Sequence, residues 1–201
     1  MEPLDAAKHD VWRLFVAIEL PDDVKQRALQ VRRTLEAAGW RARWVRVAAL
    51  HLSLRFYGNL RVDTVDGLIA TLRRALVGEE AFSLATSGLG VFPNPRNPRV
   101  IWLGVHAESG VLERIAGKIE QESRALGIAP ETRAFAPHVT LGRVRPEVFA
   151  SLGGIERHFA AIGQLDPLPF LVDHVSLFRS DLRRDGPIYT VVERFELGTV
   201  E

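Results

Sequence analysis

Apolar positions recur along this chain at two periods, and the changes between them mark out the elements. Residues 12–20, WRLFVAIEL, form a short, aromatic, almost wholly apolar run, which predicts a buried strand. Pro21 and Asp22 then open a helix. Val24, Ala28, Val31, Leu35 and Ala38 follow at alternating intervals of four and three, one face of an amphipathic helix, and Gly39 stands where a C-terminal cap belongs. Residues 43–47 and 50–57 read as strands. Asp63 is placed to cap a second helix, with Val65, Leu68, Leu72 and Leu76 on its inner face and Gly78 at its end. A short strand is expected at 82–85.

Residues 88–99 read GLGVFPNPRNPR, and prolines at 93, 95 and 98 make this stretch a loop carrying Arg96 and Arg99. Beyond it the pattern gives a strand over 100–105. A third helix over about 110–126 turns Leu112, Ile115, Ile119 and Leu126 inward, with Gly127 capping it. A strand over 138–144, a short helix after Pro146 and strands over 171–178 and 189–197 complete the reading. Strands and helices mix without strict βαβ alternation, so the expected class is α+β with antiparallel sheets.

One tetrapeptide pattern repeats: histidine, apolar, hydroxyl, apolar. It occurs at His51-Leu52-Ser53-Leu54, at His138-Val139-Thr140-Leu141 and at His174-Val175-Ser176-Leu177. Six histidines in a chain of this composition predict on the order of 0.1 such matches by chance, so three are an excess. On a strand, residues i and i+2 share a face, so each copy sets an imidazole beside a hydroxyl, opposite two core residues. Two such strands facing each other make a cleft with two imidazoles and two hydroxyl donors. That set suffices for in-line displacement at phosphorus: a base, an acid, and donors for the non-bridging oxygens. Taken singly, a histidine two residues before a hydroxyl is usually a half-exposed strand face.

Composition narrows the chemistry. The 201 residues include no cysteine, which removes disulfides, thiolate metal sites and cysteine nucleophiles. No HExxH motif and no pair of aspartates at ligand spacing suggests a metal either. A net charge of +1 excludes a strongly basic coat protein but not a local basic patch. All but three of the 26 basic residues are arginine, the side chain whose fork matches phosphate oxygens, although a bias in base composition gives the same count. No apolar run approaches the roughly 18 residues of a membrane span, and residues 1–10 lack the apolar core of a signal peptide, so a cytoplasmic protein is expected.

With these residues in view, the chain resembles the 2H phosphoesterases. Within them it is similar to the bacterial and archaeal RNA 2′,3′-cyclic phosphodiesterases, also called 2′-5′ RNA ligases. The resemblance is carried by RLFVAIELP at 13–21, RWVRVAALHLSLRFYGNL at 43–60, GLGVFPNPRNPRVIWLGV at 88–105, RAFAPHVTLGRVR at 133–145 and GPIYTVVERFEL at 186–197. The family most often has threonine where this chain has Ser53, which keeps the hydroxyl but loses the methyl that restricts χ1.

The resemblance implies a two-lobed α+β fold, antiparallel sheets flanked by helices around a central cleft, with one His-x-Ser/Thr motif per lobe. It implies one bilobal domain over 1–201, with a tail over about 1–10 and approximate repeats over 11–92 and 99–200. It implies metal-independent opening of RNA or nucleoside 2′,3′-cyclic phosphates to 2′-phosphates, without a cofactor, and the reverse 2′-5′ joining of RNA ends. His51 is then the proton donor and His138 the proton acceptor, although either can fill either role in a pseudo-symmetric cleft. Ser53, Thr140 and Arg143 are expected to bind substrate. Arg143 sits three residues past Thr140, on the wrong parity for the cleft, unless Gly142 allows a bulge.

Arg55 and Tyr57 share parity with His51 and are candidates for the cleft rim. His174 is expected to stand outside the catalytic pair, and His9, His106 and His158 at the surface. The four tryptophans are assigned to packing. The expected partners are RNA ends or nucleotides bearing a 2′,3′-cyclic phosphate, with the protein a monomer and no membrane involved. Two other readings fit the same residues: a 2′-5′ oligonucleotide phosphodiesterase, and a non-catalytic protein that holds RNA ends.

Overall fold

The structure is a computed structural model that describes residues 11–107, 110–144, 159, 162, 165–184 and 186–199. Its elements run β1 (Val11–Glu19), α1 (Asp22–Ala37), β2 (Ala42–Trp44), β3 (His51–Arg61), α2 (Val65–Leu76), β4 (Phe82–Phe92), β5 (Val100–His106), α3 (Val111–Ala125), β6 (His138–Val144), β7 (Pro169–Val172), β8 (His174–Arg183) and β9 (Gly186–Glu196). The strands join in the order β7-β4-β5-β6-β3-β1-β8-β9, with β2 beside β6. Every strand pair is antiparallel.

The sheet divides into two lobes. One is β9-β8-β1-β3 and the other is β6-β5-β4-β7. They meet where β3 lies beside β6, and a single registered pair, Leu52 opposite Val139, joins these two strands. One face of the sheet is covered by the helices. Leu14, Val16 and Ile18 of β1, Leu52 and Leu54 of β3, and Val139 and Leu141 of β6 pack there with Val24, Val31 and Leu35 of α1 and Leu112, Ile115 and Ile119 of α3. The opposite face carries the two motifs.

The α1 helix ends as its sequence suggests. Gly39 takes φ 91°, and the Trp40 amide closes on the Leu35 carbonyl at 2.9 Å, a geometry glycine adopts without steric cost. Several expectations need correction. Asp63 does not cap α2; its carboxylate takes the Arg61 guanidinium at 3.0 Å, and a 3-10 turn over Val62–Thr64 leads into the helix. Residues 88–92 belong to β4, because the prolines that break the pattern begin only at Pro93. Leu126 lies just past α3 and is exposed, so it does not face inward. The run 171–178 is two strands: β7 pairs with β4, β8 pairs with β1, and the chain crosses between lobes at Asp173.

The expected strand over 43–47 is shorter, ending at Trp44 before a 3-10 turn over Val47–Ala49. The helix expected after Pro146 lies outside the described residues. No described helix is long and apolar enough to cross a membrane.

Candidate active site

The pair Leu52–Val139 sets the geometry of the site. Residues opposite each other in an antiparallel pair point to the same face, and their chain neighbours point to the other. Leu52 and Val139 are fully buried against the helices, so His51, Ser53, His138 and Thr140 all turn to the opposite face. Continuing that register one residue either way sets His51 toward Thr140 and Ser53 toward His138. No further pair between the two strands is registered, so the four side chains share one face where the two lobes meet.

Both imidazoles are held in the same way. His51 Nδ1 donates to the Ala49 carbonyl at 2.8 Å, and His138 Nδ1 donates to the Ala136 carbonyl at 2.7 Å. A carbonyl oxygen only accepts, so the proton of each neutral ring sits on Nδ1 and the Nε2 lone pair is left for chemistry. Each ring also leans on aromatic neighbours. His51 lies 4.8 Å from Phe15 and 5.2 Å, edge-on, from Tyr189. His138 lies 5.0 Å, edge-on, from Phe92 and 6.3 Å from Trp102.

Burial disfavours the imidazolium of His51 and lowers its pKa below the ordinary value; the Ala49 carbonyl opposes this, and the nearby positive form of His138 adds to it. Neither the Ser53 nor the Thr140 hydroxyl has a protein partner among the described residues, in contrast to Ser123, which donates to the Ile119 carbonyl at 2.6 Å.

A bulge brings Arg143 to the cleft. On β6, Thr140 pairs with Trp102 and Gly142 with Ile101, so Leu141 is an extra residue and Arg143 lands opposite Val100, on the side of Thr140. A bulge also moves the candidates Arg55 and Tyr57 away from the rim. On β3, Ser53 pairs with Ala17 and Arg55 with Val16, so Leu54 is extra and Arg55 to Tyr57 change face, until a second shift at Tyr57 restores the parity from Gly58 on. Arg55 is buried, forms an ion pair with Glu120 of α3 and donates to the Ala129 carbonyl at 2.6 Å. The Tyr57 hydroxyl meets Ser123 Oγ at 3.0 Å. In their place Phe56 faces the cleft, with the Arg13 guanidinium 4.6 Å above its ring.

The third motif lies on the same face, two strands from His51. His174 Nδ1 meets Asp173 at 2.5 Å and Nε2 meets Glu19 at 3.3 Å, while Ser176 donates to Glu19 at 2.9 Å. Its imidazole and hydroxyl are thus both occupied by protein carboxylates. His106 is exposed, whereas His9 and His158 lie outside the described residues. Among the described residues no group of three or more histidines and carboxylates is placed to hold a metal ion.

Sequence reasoning missed the aromatic surround. Trp102 does more than pack: its ring lies over Gly90, where an added Cβ would come within 2.0 Å of it, and it leans on Phe92 at 5.3 Å beside His138. Strand parity offered a signal, since Trp102 alternates with the buried Ile101 and Leu103. Phe15 likewise alternates with the core residues Leu14 and Val16, and stacks on Phe178 at 5.1 Å.

Comparison with known proteins finds the same family twice along the chain. LigT-like phosphoesterase sequences match residues 18–102 and again 103–189. An RNA 2′,3′-cyclic phosphodiesterase of Methanothermobacter thermautotrophicus is 32% identical over 193 residues, covering 92% of this chain and 98% of that protein. One of Thermotoga maritima is 31% identical over 194 residues, with 94% and 98% covered. A crystal structure of a Thermus thermophilus protein superposes with a TM-score of 0.74 at 27% identity, covering 94% of this chain and 100% of that one.

Proposed function

This chain belongs to the LigT-like phosphoesterases, and from that membership we propose that it opens 2′,3′-cyclic phosphates at RNA ends or on nucleosides to 2′-phosphates, with two histidines and no metal. The observation that carries the reading is the single pair Leu52–Val139, which sends two imidazoles and two hydroxyls, both without a protein partner among the described residues, to one face. His138 Nε2 takes a proton from water as the water oxygen bonds to phosphorus in line with O3′. The P–O3′ bond breaks and His51 delivers a proton to O3′, leaving a 2′-phosphate and a 3′-hydroxyl. Ser53, Thr140 and Arg143 donate to the non-bridging oxygens as charge collects there.

Burial disfavours the charged form of His51 in the free protein. A phosphate anion beside it favours the imidazolium, so the acid is charged when substrate is bound. The same steps with a ribose 5′-hydroxyl in place of water join two ends in a 2′-5′ linkage.

The separate family matches to 18–102 and 103–189 support approximate repeats over 11–92 and 99–200 within one bilobal domain spanning 1–201. The protein acts as a monomer, since both motifs come from one chain. A chain without cysteines suits the reducing cytoplasm. The test is chromatography of the products formed from a nucleoside 2′,3′-cyclic phosphate, with and without excess chelator. The 2′-phosphate is expected in both. A 3′-phosphate, or activity that returns only with a divalent ion, overturns the reading, and binding without turnover makes the protein an RNA-end binder.

A further inference from the structure

Three arginines from three elements lie around Tyr189: Arg13 is two residues from Phe15, whose ring lies 4.9 Å from the Tyr189 ring, and Arg46 donates to the carbonyl of Pro187, two residues before Tyr189. Arg13 comes from β1, Arg46 from the turn after β2, and Arg143 from β6; each favours the phenolate of a tyrosine whose burial otherwise raises its pKa. The Tyr189 ring also lies edge-on to His51 at 5.2 Å. One tyrosine therefore adjoins both the reacting imidazole and a basic cluster. A fourth cation adjoins it, because Arg43 of β2 is registered directly opposite Arg143.

Like charges opposite one another in a sheet are unfavourable, yet none of these four arginines has a carboxylate partner among the described residues. Arg13 rests on the Phe56 ring and Arg46 donates to the Pro187 carbonyl, so both are positioned without being neutralised. Elsewhere the described arginines of this chain repeatedly find acids, as Arg114 does with Glu79, Arg124 with Glu120 and Arg179 with Asp181. An uncompensated positive group in a cleft concentrates anions.

We propose that Arg13, Arg46 and Tyr189 form a second anion subsite, which holds the phosphate on the 5′ oxygen of the ribose whose cyclic phosphate is being opened. The proposal rests on the reading above and extends it: the enzyme selects ends that carry a 5′-phosphate ester over bare nucleosides. Two sources supply that group, the next phosphodiester of an RNA strand and the terminal phosphate of a mononucleotide.

The test compares kcat/KM for three substrates: a nucleoside 2′,3′-cyclic phosphate with a free 5′-hydroxyl, its 5′-phosphorylated form, and a dinucleotide ending in the cyclic phosphate. At least one 5′-esterified substrate is expected to exceed the free nucleoside by about tenfold or more, the usual worth of a charge-assisted contact. The advantage should shrink with added salt. Arg46→Gln and Arg13→Gln are each expected to remove most of it, lowering the ratio between substrates. A gain confined to the dinucleotide identifies the RNA strand as the source, and a gain for both identifies the phosphate ester itself. Equal rates on all three substrates, or substitutions that slow all three alike, overturn the subsite and leave the cyclic phosphodiesterase intact. Failure of the wild type to open any of them overturns the underlying reading instead.

Discussion

Leu54 and Leu141 hold the same place in the two motifs, and each is the extra residue of a β-bulge. Each inserts a step that exchanges the faces of the residues after it. In β6 the exchange brings Arg143 to the cleft; in β3 it buries Arg55 and exposes Phe56. One device, applied twice, makes one wall of the cleft basic and puts an aromatic residue on the other.

Replacing His51 or His138 by alanine should each lower kcat on the order of 10²–10⁴-fold, the range for a positioned acid or base. The double variant should lose far less than the product of the two, since the groups act in one step. Alanine at His174, whose ring is bound to Asp173 and Glu19, should cost little. Steady-state rates on one cyclic mononucleotide check all four. Full activity without His138 and loss without His174 would show that the wrong pair was chosen.

The depressed pKa of His51 makes stability depend on pH. The unfolded chain titrates near the ordinary histidine value, and the folded one below it. Between the two the unfolded state binds more protons, so stability is fully present above the unfolded value and is lost as pH falls toward the folded one. One such group changes stability by at most about 1.4 kcal/mol per pH unit in that window. Denaturant unfolding between about pH 7.5 and 5, a range that brackets the ordinary histidine value, should show a steeper loss for the wild type than for His51→Phe. Equal slopes would mean that burial does not hold this ring neutral.

Gly90 carries a consequence out of proportion to its size. An alanine methyl there would enter the space of the Trp102 ring, which stands against Phe92 beside His138. Gly90→Ala should therefore lower kcat while the protein stays folded, whereas alanine at Gly117, whose added Cβ meets nothing within 4 Å, should not. Circular dichroism beside the kinetics separates a displaced ring from a lost fold.

The buried pair Arg55–Glu120 should be costly to halve. Glu120→Ala leaves the Arg55 guanidinium buried without its carboxylate, a change that costs about 3–5 kcal/mol. Replacing Arg55 and Glu120 together by apolar residues should recover most of that loss. Chemical denaturation measures both, and additive losses would show that the two do not interact.

The secondary elements and the motif faces are legible because they follow from period. His51, Ser53, His138 and Thr140 share a face by simple alternation, and Leu52 and Val139 mark the other. Alternation fails at Leu54 and Leu141, because a bulge carries no periodic signature, and Arg55 and Tyr57 are misplaced for that reason. Sheet neighbours are equally silent. Nothing in the apolar run 171–178 announces that the chain changes lobes at Asp173, so the aromatic setting of His51, which includes a ring from β9, is not visible in the sequence.

The crossing at Asp173 also gives the chain a timetable. The lobe of His138 is built from β4 to β7, with the earlier β2 beside β6, and can assemble as that stretch is made. The lobe of His51 begins with the first strand and must wait for β8 and β9, the last. Until those arrive, Phe15 has neither Phe178 nor Tyr189 beside it, and His51 lacks one wall of its cage. A chain lacking β8 and β9 would keep both motif imidazoles but lose the Phe178 and Tyr189 rings that set His51 and Phe15 in place.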